Sequence, residues 1–260
     1  MKIAVVTPYF KESNALLERC LGSVRRQDYP VTHILVADGH PSDLVQSSDV
    51  RHLRLDRSHA DAGNTARGLG AVLAAAEGFE AIAFLDADNW FDDQHVSTCL
   101  QTARSTQELP DFVVARRRLC RPDGSVLPPE SENEPGDHVD TNCFFLLRSS
   151  FHVVGRWALV PRALAAVGDR VFLRMLIAEN LRANRCTSTT VNYSCTYRSP
   201  YLALGEEPPP SAKPDPDPTE FSNWWRSLSA RERALTNRLV GFPLVNGSSR
   251  DHRADKNDKR

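Results

Sequence analysis

Three short apolar runs, each stopping abruptly at polar or turn-forming residues, constrain this chain most. They are residues 3–7 (IAVVT), 33–37 (HILVA) and 81–85 (AIAFL). A near-continuous apolar run of this length fits a strand buried on both faces, as in a parallel sheet. Between the first two, Leu16, Leu17, Cys20, Leu21 and Val24 recur at helical spacing. Residues 52–55 offer a further strand. Residues 63–78 (GNTARGLGAVLAAAEG) then read as a helix with Ala66, Leu69, Leu73 and Ala76 inward and Gly78 as its stop. After the third run, Asp92 and Asp93 are placed to cap a helix whose apolar face is Val96, Cys99, Leu100 and Ala103. Alternation of this kind predicts an α/β fold: a mostly parallel central sheet with helices on both faces. Such sheets bind ligands at the carboxyl ends of their strands. The three ends here read TPYF, ADGH and DADN, and two of them carry carboxylates.

Composition narrows the classes. Of 260 residues, 41% are apolar and 25% charged, enough for a real core, and the formal net charge of −1 gives no basis for nucleic-acid binding. Six cysteines include no CxxC pair, which argues against a zinc ribbon and for small buried thiols. The opening run is too short for a secretory signal and meets Pro8 directly, so the expected setting is reducing and cytoplasmic. No stretch approaches the roughly 20 apolar residues of a membrane helix.

Beyond residue 110 the pattern weakens. Residues 112–115 look like a strand and RPDG (121–124) like a turn, while 128–138 (PPESENEPGDH) read as a mobile acidic loop. TNCFFLLRSS (141–150) fits strand or helix. Residues 169–182 read as a helix carrying Val171, Phe172, Met175, Leu176 and Ala178, and 187–193 as a late strand. The prolines of EEPPPSAKPDPDPTE (206–220) predict an extended linker, followed by a short helix to about residue 239 opened by the capping-box pair Ser229 and Glu232. Residues 246–260 are polar and expected to be disordered. The resulting division is a main domain over 1–205, with a donor half to 110 and an acceptor half beyond it. A linker with a short helix (206–245) and a tail follow.

Asp86-Ala87-Asp88 raises the question of chemistry. Hard divalent cations take one or two carboxylates and complete their shell with phosphates and water. D-x-D alone is a weak signal and reads more readily as a plain helix-capping turn. In context, however, the chain resembles glycosyltransferase family 2, with its GT-A (Rossmann-like) fold. VVTPYFKESNALLERCLGSVRRQDYP resembles that family's first strand, loop and helix, and ILVADGH its second strand with a nucleotide-binding Asp. ADAGNTARGLG resembles its G-x-x-x-A-R-N-x-G segment and FLDADNWF its D-x-D motif. DTNCFFLLRSSFHVVGRW resembles its acceptor-side segment, and VGDRVFLRML stands where its catalytic acid lies.

The resemblance implies a metal-dependent, inverting transfer of one sugar from a nucleotide-diphosphate sugar, foremost a UDP-sugar, to a hydroxyl of a glycan, lipid-linked or small-molecule acceptor. It implies a donor site of Thr7, Pro8, Tyr9, Asp38, Gly63, Arg67, Asp86 and Ala87, with Asp88 holding Mn²⁺ or Mg²⁺. Asp169 would be the general base, with Asp140 and then Asp137 as alternatives. Each has a plainer reading: strand end for Thr7, half-buried aromatic for Tyr9, tight turn for Asp38, solvated charge for Arg67, helix cap for Asp169. The chain departs from the family at Ala37 and His40, at Gly68 for Asn, and at Gly168 for Glu. Its only histidine after Asp169 is His252, so a late histidine ligand is not expected. Phe221 with Trp224-Trp225 suits a peripheral membrane contact, or a cluster folded back on the domain or packed on a partner subunit. A nucleotidyltransferase would want a glycine-rich loop where this chain has TPYFKES. A non-catalytic nucleotide-sugar-binding protein of the same fold is the remaining alternative.

Overall fold

The computed structural model describes residues 1–128 and 138–245. In chain order the elements are β1 (Ile3–Tyr9), α1 (Asn14–Arg25), β2 (Val31–Ala37), α2 (Asp43–Gln46), β3 (Arg51–Arg54), α3 (Asn64–Ala76), β4 (Ala81–Phe84), β5 (Trp90–Phe91), α4 (His95–Ala103), β6 (Phe112–Cys120), β7 (Phe144–Leu147), α5 (Gly168–Ala178), β8 (Ala183–Ser194), α6 (Ser199–Ala203), α7 (Pro218–Ser227) and α8 (Ala230–Val240). Two 3-10 segments, Arg148–Leu159 and Arg162–Val167, lead into α5.

Among the described residues, eight strands form one sheet in the order β3-β2-β1-β4-β7-β6-β8-β5. The first four are mutually parallel, as the apolar runs predict. The second half is mixed: β7 runs antiparallel to both β4 and β6, β8 is parallel to β6, and β5 is antiparallel to β8. "Mostly parallel" is thus an approximation that fails where the hydrophobic pattern was weakest. Strand β6 also runs on to Cys120, past the predicted end at 115: residues 116–120 continue the pairing with β8, with Arg117 buried between the half-buried Arg116 and Arg118.

Two further expectations are corrected. Helix α3 does not turn Leu69 inward, which is 38% exposed; its buried face is Ala66, Arg67, Gly68, Gly70, Ala71 and Ala74. The helix lies so close to the sheet that a Cβ on Gly70 would meet Val6 Cγ1 at 2.6 Å and Val36 Cγ2 at 2.9 Å, which leaves no room for leucine. Asp92 and Asp93 do not cap α4, whose N-cap is Gln94 with no side-chain bond. Asp92 pairs with Arg118 and accepts from Asn192, and Asp93 pairs with Arg26.

The RPDG turn closes through Gly124 N–H donating to Arg121 O (2.8 Å), and the Ser229/Glu232 capping box is formed. Residues 206–217 are not helical, and Lys213 pairs with strand-like backbone at Tyr197. Val240 of α8 enters the core, and Phe221, Trp224, Phe242 and Leu244 pack against it. All six cysteines are buried free thiols. Among the described residues no helix is long and apolar enough to cross a membrane. The predicted acidic loop falls largely on residues 129–137, and the tail with His252 on 246–260, both outside the described residues.

Two core histidines tie stability to pH. His33 and His95 are buried, and loss of hydration depresses each to about 3. His95 Nδ1 lies 2.8 Å from Thr190 Oγ1 while its ring stacks on Phe91. Each is therefore neutral when folded and takes up a proton on unfolding below its ordinary pKa of 6.5. Stability should fall by about 1.4 kcal/mol per pH unit for each histidine as pH drops from about 6 toward 4. Urea unfolding across that range should show the slope, and His95→Gln should remove about half of it.

Candidate active site

The register of the parallel strands brings the three acidic or turn-forming ends together. Tyr9 lies beside Ala37, and Val6 beside Phe84. The chain then leaves each strand at the same edge: Asp38 N–H donates to Tyr9 O (2.8 Å) and Leu85 N–H to Val6 O (3.1 Å). With the loop before α3 they enclose a cleft of about 380 Å³. Pro8, Tyr9, Asp38, Gly63, Arg67, Asp86, Ala87 and Asp88 all line it. Thr7 does not. It is fully buried, and its hydroxyl lies 2.8 Å from His33 Nε2 inside the sheet, which is the plainer of its two readings.

The lining groups are held in different ways. The Tyr9 hydroxyl accepts from Ser42 N–H (3.0 Å) and sits 2.7 Å from His52 Nε2. Asp38 is buried and accepts from His59 N–H (3.0 Å) and Ser58 Oγ (3.3 Å), so the loop over 58–59 is latched to the end of β2. Ala60, Ala62 and Gly63 follow with φ of 49°, 55° and 77°. Left-handed backbone at the two alanines stores strain of about 1–2 kcal/mol each. At Gly63 an added Cβ would also press Pro8 at 3.1 Å.

Arg67, 3% exposed, is no solvated charge. Its Nη2 donates to Asp86 Oδ1 (2.6 Å), its Nη1 to Asn64 Oδ1 (2.9 Å), and its guanidinium lies over the Trp157 ring. The Trp157 indole N–H also donates to Asn64 Oδ1 (2.8 Å). From Asp86 the network continues: its N–H donates to Asn142 Oδ1 (2.6 Å), and Asn142 Nδ2 donates to Asp140 Oδ1 (2.6 Å). Asp140 Oδ2 in turn accepts from Arg117 (2.6 Å). Asp88 has no such partner: among the described residues no hydrogen bond or ion pair from another residue engages its carboxylate. Withdrawal from water, reinforced by the negative charges of Asp86 and Glu12, pushes it up to about 7.

Asp169 lines a separate cavity of about 280 Å³ with Arg117, His138, Asp140, Tyr193 and Tyr197. The N-cap of α5 is Val167 with no side-chain bond; Asp169 stands in the first turn and accepts from His138 Nε2–H (2.9 Å). Asp140, the alternative base, is buried and committed to Arg117 and Asn142, which leaves it a structural acid. Asp137 lies outside the described residues. The Tyr197 phenol is raised by burial and by the charges of Asp169, Asp215, Asp88 and Asp140, which places it among acids of both cavities.

Among the described residues, no three acidic, histidine or cysteine side chains converge to hold an ion unaided. The donor set nonetheless suits a hard cation that brings phosphate ligands with it. Asp88 is raised first by burial and then by the neighbouring acids Asp86 and Glu12, and a cation at its carboxylate would offset both.

The two glycine departures have a common packing cause. A Cβ on Gly68 would meet the Ala158 backbone nitrogen at 2.6 Å, and one on Gly168 would meet Asn64 Oδ1 at 2.7 Å. Both glycines let their helices close on the Asn64–Trp157–Arg67 network. Sequence reasoning missed Asn64, Asn142, Arg117, His138, Trp157 and Lys213. None stands in a motif defined by ligand chemistry, although Asn64, Asn142 and Trp157 lie inside the quoted family segments.

The sequence profile of glycosyl transferase family 2 matches residues 4–165, more than half of the chain. The chain belongs to that family. Among solved structures it is similar to S. aureus TarS 1–349 in complex with UDP, at a TM-score of 0.56 and 12% identity over 78% of this chain and 63% of that one. A second TarS crystal structure matches at 0.57 and 13%, covering 90% and 45%. TarS 1–349 in complex with UDP-GlcNAc matches at 0.56 and 12%, covering 92% and 70%. At these identities the likeness is one of fold, and the chain spans less than two thirds of the first two structures. No curated protein sequence matches it.

Restoring the family residue at Gly68 tests the packing account. Gly68→Asn should destabilise the chain by on the order of 3 kcal/mol, since backbone rather than a flexible side chain stands in the way. Denaturant midpoints of the two proteins measure the difference; an unchanged midpoint would contradict the close approach.

Proposed function

We propose that the chain is a metal-dependent, inverting glycosyltransferase that moves one sugar from a nucleotide-diphosphate sugar, foremost a UDP-sugar, to a hydroxyl. The observation that carries this reading is the pairing of two cavities, one presenting Asp88 and the other Asp169, joined beneath by the Arg67–Asp86–Asn142–Asp140–Arg117 chain. Family membership supports the activity. The UDP and UDP-GlcNAc held by TarS structures of like fold support the donor class.

In this reading the nucleoside lies along Tyr9, Asp38 and Gly63, with its diphosphate toward Asp88. Asp88 would hold Mn²⁺ or Mg²⁺, which would supply Lewis-acid neutralisation of charge on the diphosphate leaving group. Arg67 holds Asp86 in place from below the cleft. On the acceptor side the Asp169 carboxylate takes the proton from the attacking hydroxyl, as a general base must from within hydrogen-bond reach. The acceptor oxygen bonds to the anomeric carbon, the bond to phosphate breaks, and the nucleoside diphosphate departs with its electron pair. Stations on opposite sides of the sugar favour inversion, by the same geometric reasoning that applies to paired carboxylates in glycoside hydrolysis.

The other readings are less well supported. A nucleotidyltransferase cradles phosphate on loop amides, but here the Phe10 N–H is occupied by the Glu12 carboxylate (2.6 Å), an acid that would repel phosphate. A non-catalytic binding protein would not need Asp169 to line a cavity, as it does.

Calorimetry with UDP, GDP and dTDP, with and without Mn²⁺, tests the donor site. One of the three should bind with metal dependence, and Asp88→Ala should weaken that binding by about 10- to 100-fold. Binding of none would sink the reading. With the donor identified, Asp169→Asn should keep its affinity and lose about 10²–10⁴-fold in turnover; retained turnover would remove Asp169 from the role of base.

A further inference from the structure

The donor cleft carries an excess of negative charge for a site meant to receive a diphosphate. Glu12, Asp38, Asp61, Asp86 and Asp88 line it, against Arg67 and Lys213. Arg67 is buried and already committed to Asp86 and Asn64. Lys213 is different. It is exposed, no hydrogen bond or ion pair among the described residues engages its ammonium, and its charge acts on Asp88.

Its backbone is fixed although its side chain is not. Lys213 N–H donates to Thr196 O (2.7 Å), and Arg198 N–H donates to Lys213 O (3.1 Å), so the residue is stitched to the chain just beyond β8. Two residues on, Asp215 accepts from Ser199 Oγ (2.6 Å) and lines the cavity of Asp169. The proline-rich stretch therefore runs along the boundary between the two cavities. The prolines around Lys213 limit the backbone freedom lost when its side chain engages a ligand.

We propose that Lys213 is a phosphate-binding residue of the donor site, delivered by the proline-rich segment to the diphosphate beside Asp88. The proposal rests on the donor reading above. Lysine acts on phosphate as a mobile point charge, which suits a group that must follow the diphosphate as it leaves. Among the described residues lining the cleft it also supplies the one uncommitted positive charge.

Calorimetry with UDP, UMP and uridine in Mg²⁺, on the wild type, Lys213→Ala and Lys213→Arg, tests it. Lys213→Ala should weaken UDP by about 10- to 100-fold while leaving uridine within about twofold, and Lys213→Arg should restore most of the loss. Equal UDP affinity in wild type and Lys213→Ala would overturn the proposal and leave the donor reading standing. An equal loss for UDP and uridine would overturn it too, by making Lys213 a structural residue. Failure of the wild type to bind UDP would overturn both.

Discussion

The site is organised by one buried carbonyl oxygen, Asn64 Oδ1. It accepts from the Trp157 indole and from Arg67, and so holds a guanidinium that is 3% exposed in a fixed pose under the cleft. A buried cation is tolerated only when paired and hydrogen-bonded. Here Asp86 supplies the pair and Asn64 the bond, with the Trp157 ring covering one side. Trp157 in turn packs on Phe84, Phe144 and Phe172, the aromatic centre of the core. The position of Asp86 is thus set by core packing and not by the loop that carries it.

From Asp86 the same network passes through Asn142 and Asp140 to Arg117, which lines the second cavity. The carboxylates and amide oxygens of this network all accept hydrogen bonds, whereas Arg67 Nε and Asn64 Nδ2 are buried without a partner; removing one member would strand its neighbours at about 1–3 kcal/mol apiece. Asp88 and Asp169 stand outside this chain. Among the described residues no other residue bonds the Asp88 carboxylate, while Asp169 meets His138 and the Arg170 N–H, and each acid lines a cavity. A rigid scaffold with two accessible acids is the arrangement that sugar transfer to a hydroxyl would use.

The first half of the fold was legible because its strands are buried on both faces and announce themselves as unbroken apolar runs. Their parallel register then forces TPYF, ADGH and DADN to one edge, so Tyr9, Asp38 and Asp88 could be placed before any coordinates. Past residue 110 the strands reverse direction and carry mixed patterns, as in the ARRRLC end of β6, and periodicity no longer distinguishes them. Helix α3 turns Ala66 and Leu73 to the core as leucine and alanine spacing suggests, but Leu69 and Ala76 outward, because at Gly70 the contact with Val6 and Val36 leaves no room even for a Cβ. Asn64 and Asn142 were invisible for another reason: an amide's role depends on which partners the fold brings to it. Lys213 was hidden by composition, since dense prolines read as linker even where backbone bonds pin the segment across a site.

The central claim is that the strand-end cleft receives a nucleoside diphosphate with its phosphates at Asp88. A crystal structure of the chain grown with UDP and Mn²⁺, with the metal located by its anomalous signal, tests it most directly. The account predicts the uridine beside Tyr9 and Asp38, and the manganese bound between the Asp88 carboxylate and the diphosphate. Nucleotide bound elsewhere, or metal bound away from Asp88, would contradict it.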